Sequence, residues 1–121
     1  MNILSLFNKE TDVKQFQAGQ TIFERGDPAN EMFIIKSGHV KVRVKDDDSE
    51  LIIGPGELLG EMALIDDCPR SATAIAKTDC ELIPVDEKRF TFLVQQTPNF
   101  SIHVMQLLVE RLRRMNRIVT F

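Results

Sequence analysis

A chain of 121 residues is the size of one domain and not two. Its apolar share of 43% supports an ordinary globular core, and a formal net charge of −3 gives no global basic field for nucleic acid. The start of the chain lacks the pattern of a secretory signal, no apolar run approaches the length of a membrane span, and Cys68 and Cys80 form no C-x-x-C pair. These features predict a cytoplasmic protein with reduced thiols, a Cys68–Cys80 disulfide being the alternative.

Ile3, Leu4, Leu6 and Phe7 are spaced for a short N-terminal helix. From Lys14 to Asp86 the pattern changes to short strands. Thr21–Phe23 is one. Met32–Lys36 is an apolar strand ending at Ser37-Gly38. Val40, Val42 and Val44 alternate with Lys41, Arg43 and Lys45, a half-buried strand with a basic outer face. Asp46–Ser49 makes a polar turn, Leu51–Ile53 returns as a strand, and Gly54-Pro55-Gly56 breaks it. The acidic Asp46-Asp47-Asp48 run reads as a solvated hairpin tip, because an EF-type metal loop needs ligands at alternate positions and a terminal Glu. Thr73–Ala76 and Glu81–Val85 are the last two strands. Many short strands with Gly, Pro and Asp turns predict a mainly β fold, a jelly-roll-like barrel over about 14–86.

Helices are expected over about 86–120. Asp86 is a good N-cap for a helix reaching about Gln95. Thr97-Pro98 starts a longer one, with Pro98 near its first position. Met105, Leu108, Leu112, Met115 and Val119 recur at three, four, three and four residues, the spacing of a narrow heptad seam. This predicts a homodimer through the final helix, with a core-facing stripe as the alternative. Val104, Leu107 and Val109 lie partly off the seam and are free to pack on the barrel. Arg111, Arg113, Arg114 and Arg117 read as a solvated flank to the seam; the alternative is a basic patch for an anionic partner.

The stretch Leu59–Thr73 reads L-G-E-M-A-L-I-D-D-C-P-R-S-A-T. Gly60 permits close backbone approach, and Glu61–Leu64 favour a helical turn whose free N–H groups suit an anion. Glu61 offers a carboxylate to hydroxyls, Arg70 a planar fork for phosphate oxygens, and Ser71 a further hydroxyl. A carboxylate for a sugar and a guanidinium for a phosphate, this close together, point to a nucleotide. Taken singly, Glu61 could serve the helix dipole and Arg70 could be a loop cation. Cys68, inside the same stretch, reads as structural, with oxidation that blocks the site as the alternative.

This stretch resembles the phosphate-binding cassette of cyclic nucleotide-binding domains, whose core reads F-G-E-x-[AS]-L, a variable gap, then P-R-[AST]-A. The chain has Leu59 where the family usually has Phe, and then matches at Gly60, Glu61, Ala63, Leu64, Pro69, Arg70, Ser71 and Ala72. The Gly26-Asp27 turn, the apolar run before Ser37-Gly38 and the terminal apolar helix also sit where the family has them. The resemblance implies a single sensing domain over 1–121 that performs no chemistry. Its ligand set would be Gly60, Glu61, Met62, Ala63, Arg70, Ser71 and Ala72, holding cyclic AMP or, alternatively, cyclic GMP. Ser71 excludes neither nucleotide. The family completes the site with a base contact from the final helix, for which Glu110, Arg113, Arg114 and Asn116 are candidates.

An enzyme on a similar barrel, such as a cupin, needs clustered His and carboxylate ligands. This chain has only His39 and His103, far apart and in different element types, so neither a metal nor a cofactor is expected. Transcription regulators of the family carry a helix-turn-helix after the long helix. None follows here, so direct DNA binding is not expected of this chain. It is either a free-standing sensor for a separate protein partner or one domain of a longer protein.

Overall fold

The computed structural model describes residues 3–7, 9–43 and 50–116, leaving aside the side chains of 115 and 116. The expected 46–49 turn, Val44, Arg117 and Val119 lie outside the described residues. Eight strands form two four-stranded antiparallel sheets. The strands are β1 (Lys14–Phe16), β2 (Thr21–Phe23), β3 (Glu31–Ser37), β4 (Val40–Arg43), β5 (Glu50–Ile53), β6 (Leu58–Leu59), β7 (Thr73–Ala76) and β8 (Cys80–Asp86). One sheet runs β1-β8-β3-β6 and the other β2-β7-β4-β5. The fold is the expected jelly roll, flanked by helices. Short β1 and β6 are the strands that the pattern did not single out.

The continuous apolar run of β3 has a physical reason: both of its faces are covered. Met32 and Ile34 turn outward to join Leu58, Ile83, Val85, Phe100 and Val104, under the helices. Phe33 and Ile35 turn inward to join Val40, Ile53, Leu59, Ala74 and Leu82, between the sheets. The N-terminal segment Ile3–Phe7 is a 3-10 helix and not an α-helix; it buries Ile3 and Phe7 in the outer cluster.

The described residues form three α-helices: α1 (Met62–Ile65), α2 (Glu87–Gln96) and α3 (Pro98–Asn116). Asp86 caps α2 as expected, its carboxylate accepting from the Arg89 N–H at 2.8 Å. Helix α3 packs on the barrel through buried Phe100 and Val104 and half-buried Leu107 and Leu108, an i, i+4, i+7, i+8 face. Of the expected seam residues, Leu108 belongs to this core-facing row and Met105 and Leu112 are exposed, whereas Val109, which the spacing left free to pack on the barrel, is exposed. The open apolar stripe is Ile102, Met105, Val109 and Leu112, with Met105 and Leu112 55% and 51% exposed. No helix among the described residues is long and apolar enough to cross a membrane.

Candidate functional site

Arg70 is fixed first by its backbone. The Gly26-Asp27 turn pairs with it twice: the Gly26 N–H donates to the Arg70 carbonyl at 2.8 Å, and the Arg70 N–H donates to the Asp27 carbonyl at 2.9 Å. Gly26 takes φ +90°, a conformation that glycine adopts without steric cost. The side chain then turns inward, 8% exposed, and its Nη1 donates to the Gly60 carbonyl at 3.2 Å. Burial pushes the guanidinium pKa down from its ordinary value, while nearby Glu31 and Asp27 push it back up. An arginine keeps its charge throughout such shifts.

Gly60 is required by the same contact. It takes φ +74°, and a Cβ there would lie 2.3 Å from Arg70 Nη1. The next residue, Glu61, starts the turn that becomes α1, with the Leu64 and Ile65 N–H groups donating to its carbonyl at 3.1 and 3.0 Å. The Glu61 and Met62 N–H groups therefore open a helical turn, where no intrahelical acceptor exists for them. Ala63 is buried beneath this turn, and Met62 is exposed above it.

These residues edge a cavity of about 170 Å³. Its rim is Gly60, Glu61, Met62, Ala63, Arg70, Ser71 and Ala72, the whole set expected from the sequence. Its apolar wall is Phe23, Val42, Leu51, Ile53 and Leu59, from both sheets. A polar, cationic rim beside an apolar wall can take a sugar phosphate at one end and a flat ring at the other. Ser71 is exposed, its Oγ donating to the Met62 sulfur at 3.5 Å. Pro69 also lines the cavity, as does Arg111, which comes from α3 and was not among the expected contacts.

Arg111 Nη1 donates to Glu61 Oε1 at 2.9 Å, with the two side chains 16% and 10% exposed. Its Nη2 donates to the Leu58 carbonyl, and its buried Nε has no partner among the described residues. The signal for it was available. Arg111 lies four residues after Leu107 and three after Leu108, on the face that meets the barrel. The solvated-flank reading fails for Arg111 and holds for exposed Arg113. Arg114 reaches outside the cavity to Glu57 Oε1 at 2.8 Å. Neither Arg113 nor Arg114 lines the cavity, so the geometry does not support them as base contacts; the Asn116 side chain lies outside the described residues.

Both cysteines are free thiols. Cys80 is buried in the barrel, where desolvation, and then Asp79, raises its pKa. Cys68 donates to the Met62 carbonyl at 3.5 Å and does not line the cavity. Among the described residues no group of His, Cys, Asp and Glu is arranged to hold a metal.

Residues 13–97 match the model of the cyclic nucleotide-binding domain. The chain is 30% identical, over 93% of its own length, to the CRP-like cAMP-activated global transcriptional regulator of Mycobacterium tuberculosis, and it spans about half of that protein (52%). The crystal structure of the Thermus thermophilus catabolite activator protein superposes with a TM-score of 0.76 at 31% identity, over 93% of this chain and 55% of the other. A second structure, described by the words "A cyclic-GMP-dependent signalling pathway regulates bacterial phytopathogenesis", also gives a TM-score of 0.76. It is 33% identical, over 92% of this chain and 91% of the other.

Proposed function

The chain belongs to the cyclic nucleotide-binding domain family, and from that premise we propose that it senses cyclic AMP and reports occupancy through α3. The observation that carries this reading is the Glu61–Arg111 pair. A cassette carboxylate suited to a ribose hydroxyl is already engaged by a guanidinium of the long helix. A ligand hydroxyl that donates to Glu61 must therefore share or displace a bond that also holds α3.

The cyclic phosphate is a monoanion and goes to Arg70 and to the opening N–H groups of the α1 turn. The ribose 2′-hydroxyl donates to Glu61. The base lies along Val42, Leu51 and Ile53, and the Arg111 Nε, without a partner among the described residues, is a donor within its reach. Adenosine 5′-monophosphate, with an extra charge and an open phosphate, fits worse. A sensor needs two states that the ligand distinguishes, and a complete shift between them takes on the order of 5 kcal/mol of differential binding. Bonds to phosphate, ribose and Arg111 together are of that order. The Mycobacterium tuberculosis relative is named as cAMP-activated, which favours cyclic AMP. Cyclic GMP is the second reading, favoured by the cyclic GMP signalling structure and left open by Ser71.

The exposed stripe of Ile102, Met105, Val109 and Leu112 is the surface for a second copy of the chain. The output passes to a protein partner or to another part of a longer chain, not to DNA through this domain. Amide hydrogen exchange with and without cyclic AMP tests the coupling. Protection should rise over 61–72 and also over about 109–116 of α3. Protection confined to the cassette would mean a static pocket, with the helix serving only assembly. Competition between cyclic AMP and cyclic GMP tests the preference, and tighter cyclic GMP binding would reverse it.

A further inference from the structure

Arg70 is a buried cation with no carboxylate in salt-bridge contact among the described residues; Glu31 and Asp27 act on it only through space. What faces the guanidinium is aromatic. Its Cζ lies 4.2 Å from the centroid of the Phe23 ring and 5.8 Å from that of Phe33. A ring face compensates a desolvated guanidinium without accepting its N–H hydrogen bonds, whereas a carboxylate would occupy them. The donor edge then remains open to an incoming anion, with the Gly60 backbone carbonyl the one acceptor of the guanidinium among the described residues.

We propose that Phe23 is the positioning residue for Arg70: its ring holds the guanidinium at the cavity rim in place of a counter-ion, leaving the N–H edge free for an anionic phosphate. Phe23 is suited to this by its place in the fold. It ends β2 and pairs with Ala74 of β7, the strand that follows the Arg70 segment. Just beyond it, the Arg25 N–H donates to Thr73 Oγ1 at 3.1 Å, closing the two segments together. The ring also lies against Gly60, 3.4 Å from where a Cβ would be. Phe23, Gly60 and Arg70 thus form one packed unit, in which the glycine leaves room for the cation and the ring fixes it.

The inference rests on the reading of Arg70 as the phosphate ligand, and the experiment separates the two. Cyclic AMP and cyclic GMP are titrated calorimetrically into wild type, Phe23→Leu, Phe23→Tyr, Arg70→Lys and the Phe23→Leu/Arg70→Lys double variant. Phe23→Leu should weaken binding about tenfold, equivalent to about 1.4 kcal/mol, within the range of a desolvated cation–π contact. Phe23→Tyr, which keeps the ring face, should recover most of that loss. In the Arg70→Lys background, Phe23→Leu should cost less than about twofold, because the fork that the ring orients is gone. A ligand-free readout accompanies the titrations: the Arg70 Nε–H resonance should lose a ring-current displacement in Phe23→Leu and keep it in Phe23→Tyr. An equal tenfold loss in both Arg70 backgrounds would overturn the proposal, making the ring a plain pocket wall; so would unchanged affinity in Phe23→Leu or an unmoved resonance. Wild-type protein that binds neither nucleotide would overturn this inference together with the reading beneath it.

Discussion

Replacing Arg111 by Leu removes the guanidinium that ties α3 to the cassette while keeping an apolar stem. Two described bonds go with it, one to Glu61 at 2.9 Å and one to the Leu58 carbonyl. A fully buried ion pair broken on one side costs about 3–5 kcal/mol, because the other charge is left uncompensated. Here the two side chains keep 16% and 10% of their surface exposed, so the loss is smaller than for a fully buried pair. The variant also removes the buried Nε that has no partner among the described residues, a small gain. The net cost should be about 1–2 kcal/mol. For a domain of this size each kcal/mol shifts Tm by about 3–6 °C, so differential scanning calorimetry should read a fall of about 3–12 °C. Hydrogen exchange should localise it, with protection lost over about 109–114 and retained near Phe100 and Val104. Adding Glu61→Gln should then cost little more, since the pair is already broken. A Tm within about a degree of wild type, or costs that simply add, would show that the pair does not hold the helix.

Arg70→Leu should abolish most cyclic nucleotide binding, since each lost charge-assisted bond is worth about 1.5–3 kcal/mol. Gly60→Ala should weaken binding by displacing the same guanidinium, and it should also destabilise the fold by about 1–2 kcal/mol through its positive φ; calorimetric titration and thermal unfolding read the two effects. Met105→Glu with Leu112→Glu should leave a monomer of wild-type Tm in sedimentation velocity, whereas Leu108→Glu should lower Tm, because Leu108 packs on the core. A wild-type chain that sediments as a monomer at high concentration would remove the dimer. The Glu10 carboxyl is held below its ordinary carboxylate value, first by its hydrogen bond from Arg89. Its contribution is therefore present at neutral pH and is lost as pH falls from that ordinary value through the lower folded one. Arg89→Ala should reduce stability in urea unfolding at pH 7 and lose the pH-dependent part of that deficit in acid. A deficit of constant size would assign the effect to Arg89 packing over Phe7, 4.8 Å away.

The barrel was legible because its information is local. The alternation of Val40 and Val42 with Lys41 and Arg43, and the doubly covered Met32–Ile35 run, announce strands without reference to partners. The cassette was legible because Gly60, Glu61 and Arg70 are each the residue type that a specific contact demands. What could not be read lies where tertiary packing chooses between equivalent patterns. Met105, Leu108 and Leu112 make as good a heptad as Ile102, Met105, Val109 and Leu112. Only docking of Phe100 and Val104 on the barrel turns Leu108 inward and leaves Val109 outside. The same rotation separates Arg111 from Arg113 and Arg114, which composition alone treats as one basic run. Strands β1 and β6, of three and two residues, are too short to show a period.

Helix α3 turns three faces to three surroundings, the barrel, the cavity and the open apolar stripe, and on the proposed reading their overlap along its axis decides how a signal would travel. Its first half is anchored by apolar contacts through Leu108. Beyond that point the described anchors are polar: Arg111 on Glu61 and Leu58, and Arg114 on Glu57. Polar tethers at the cavity rim are weaker than the burial of a phenylalanine, so among the described side chains those after Leu108 hold α3 least. The open apolar stripe crosses this boundary, with Ile102 and Met105 on the anchored half and Val109 and Leu112 on the tethered half. On the proposed reading, a ligand that re-engages Glu61 changes the tethered half alone and so alters the straightness of the stripe, not its composition. A second copy docked along the whole stripe would feel that change as a change in fit. Linkage then requires the reverse: whatever factor the ligand applies to assembly, assembly applies to ligand affinity. On that reading the coupling needs no path through the barrel, because Arg111 at the cavity and Leu112 on the stripe are neighbours on one helix.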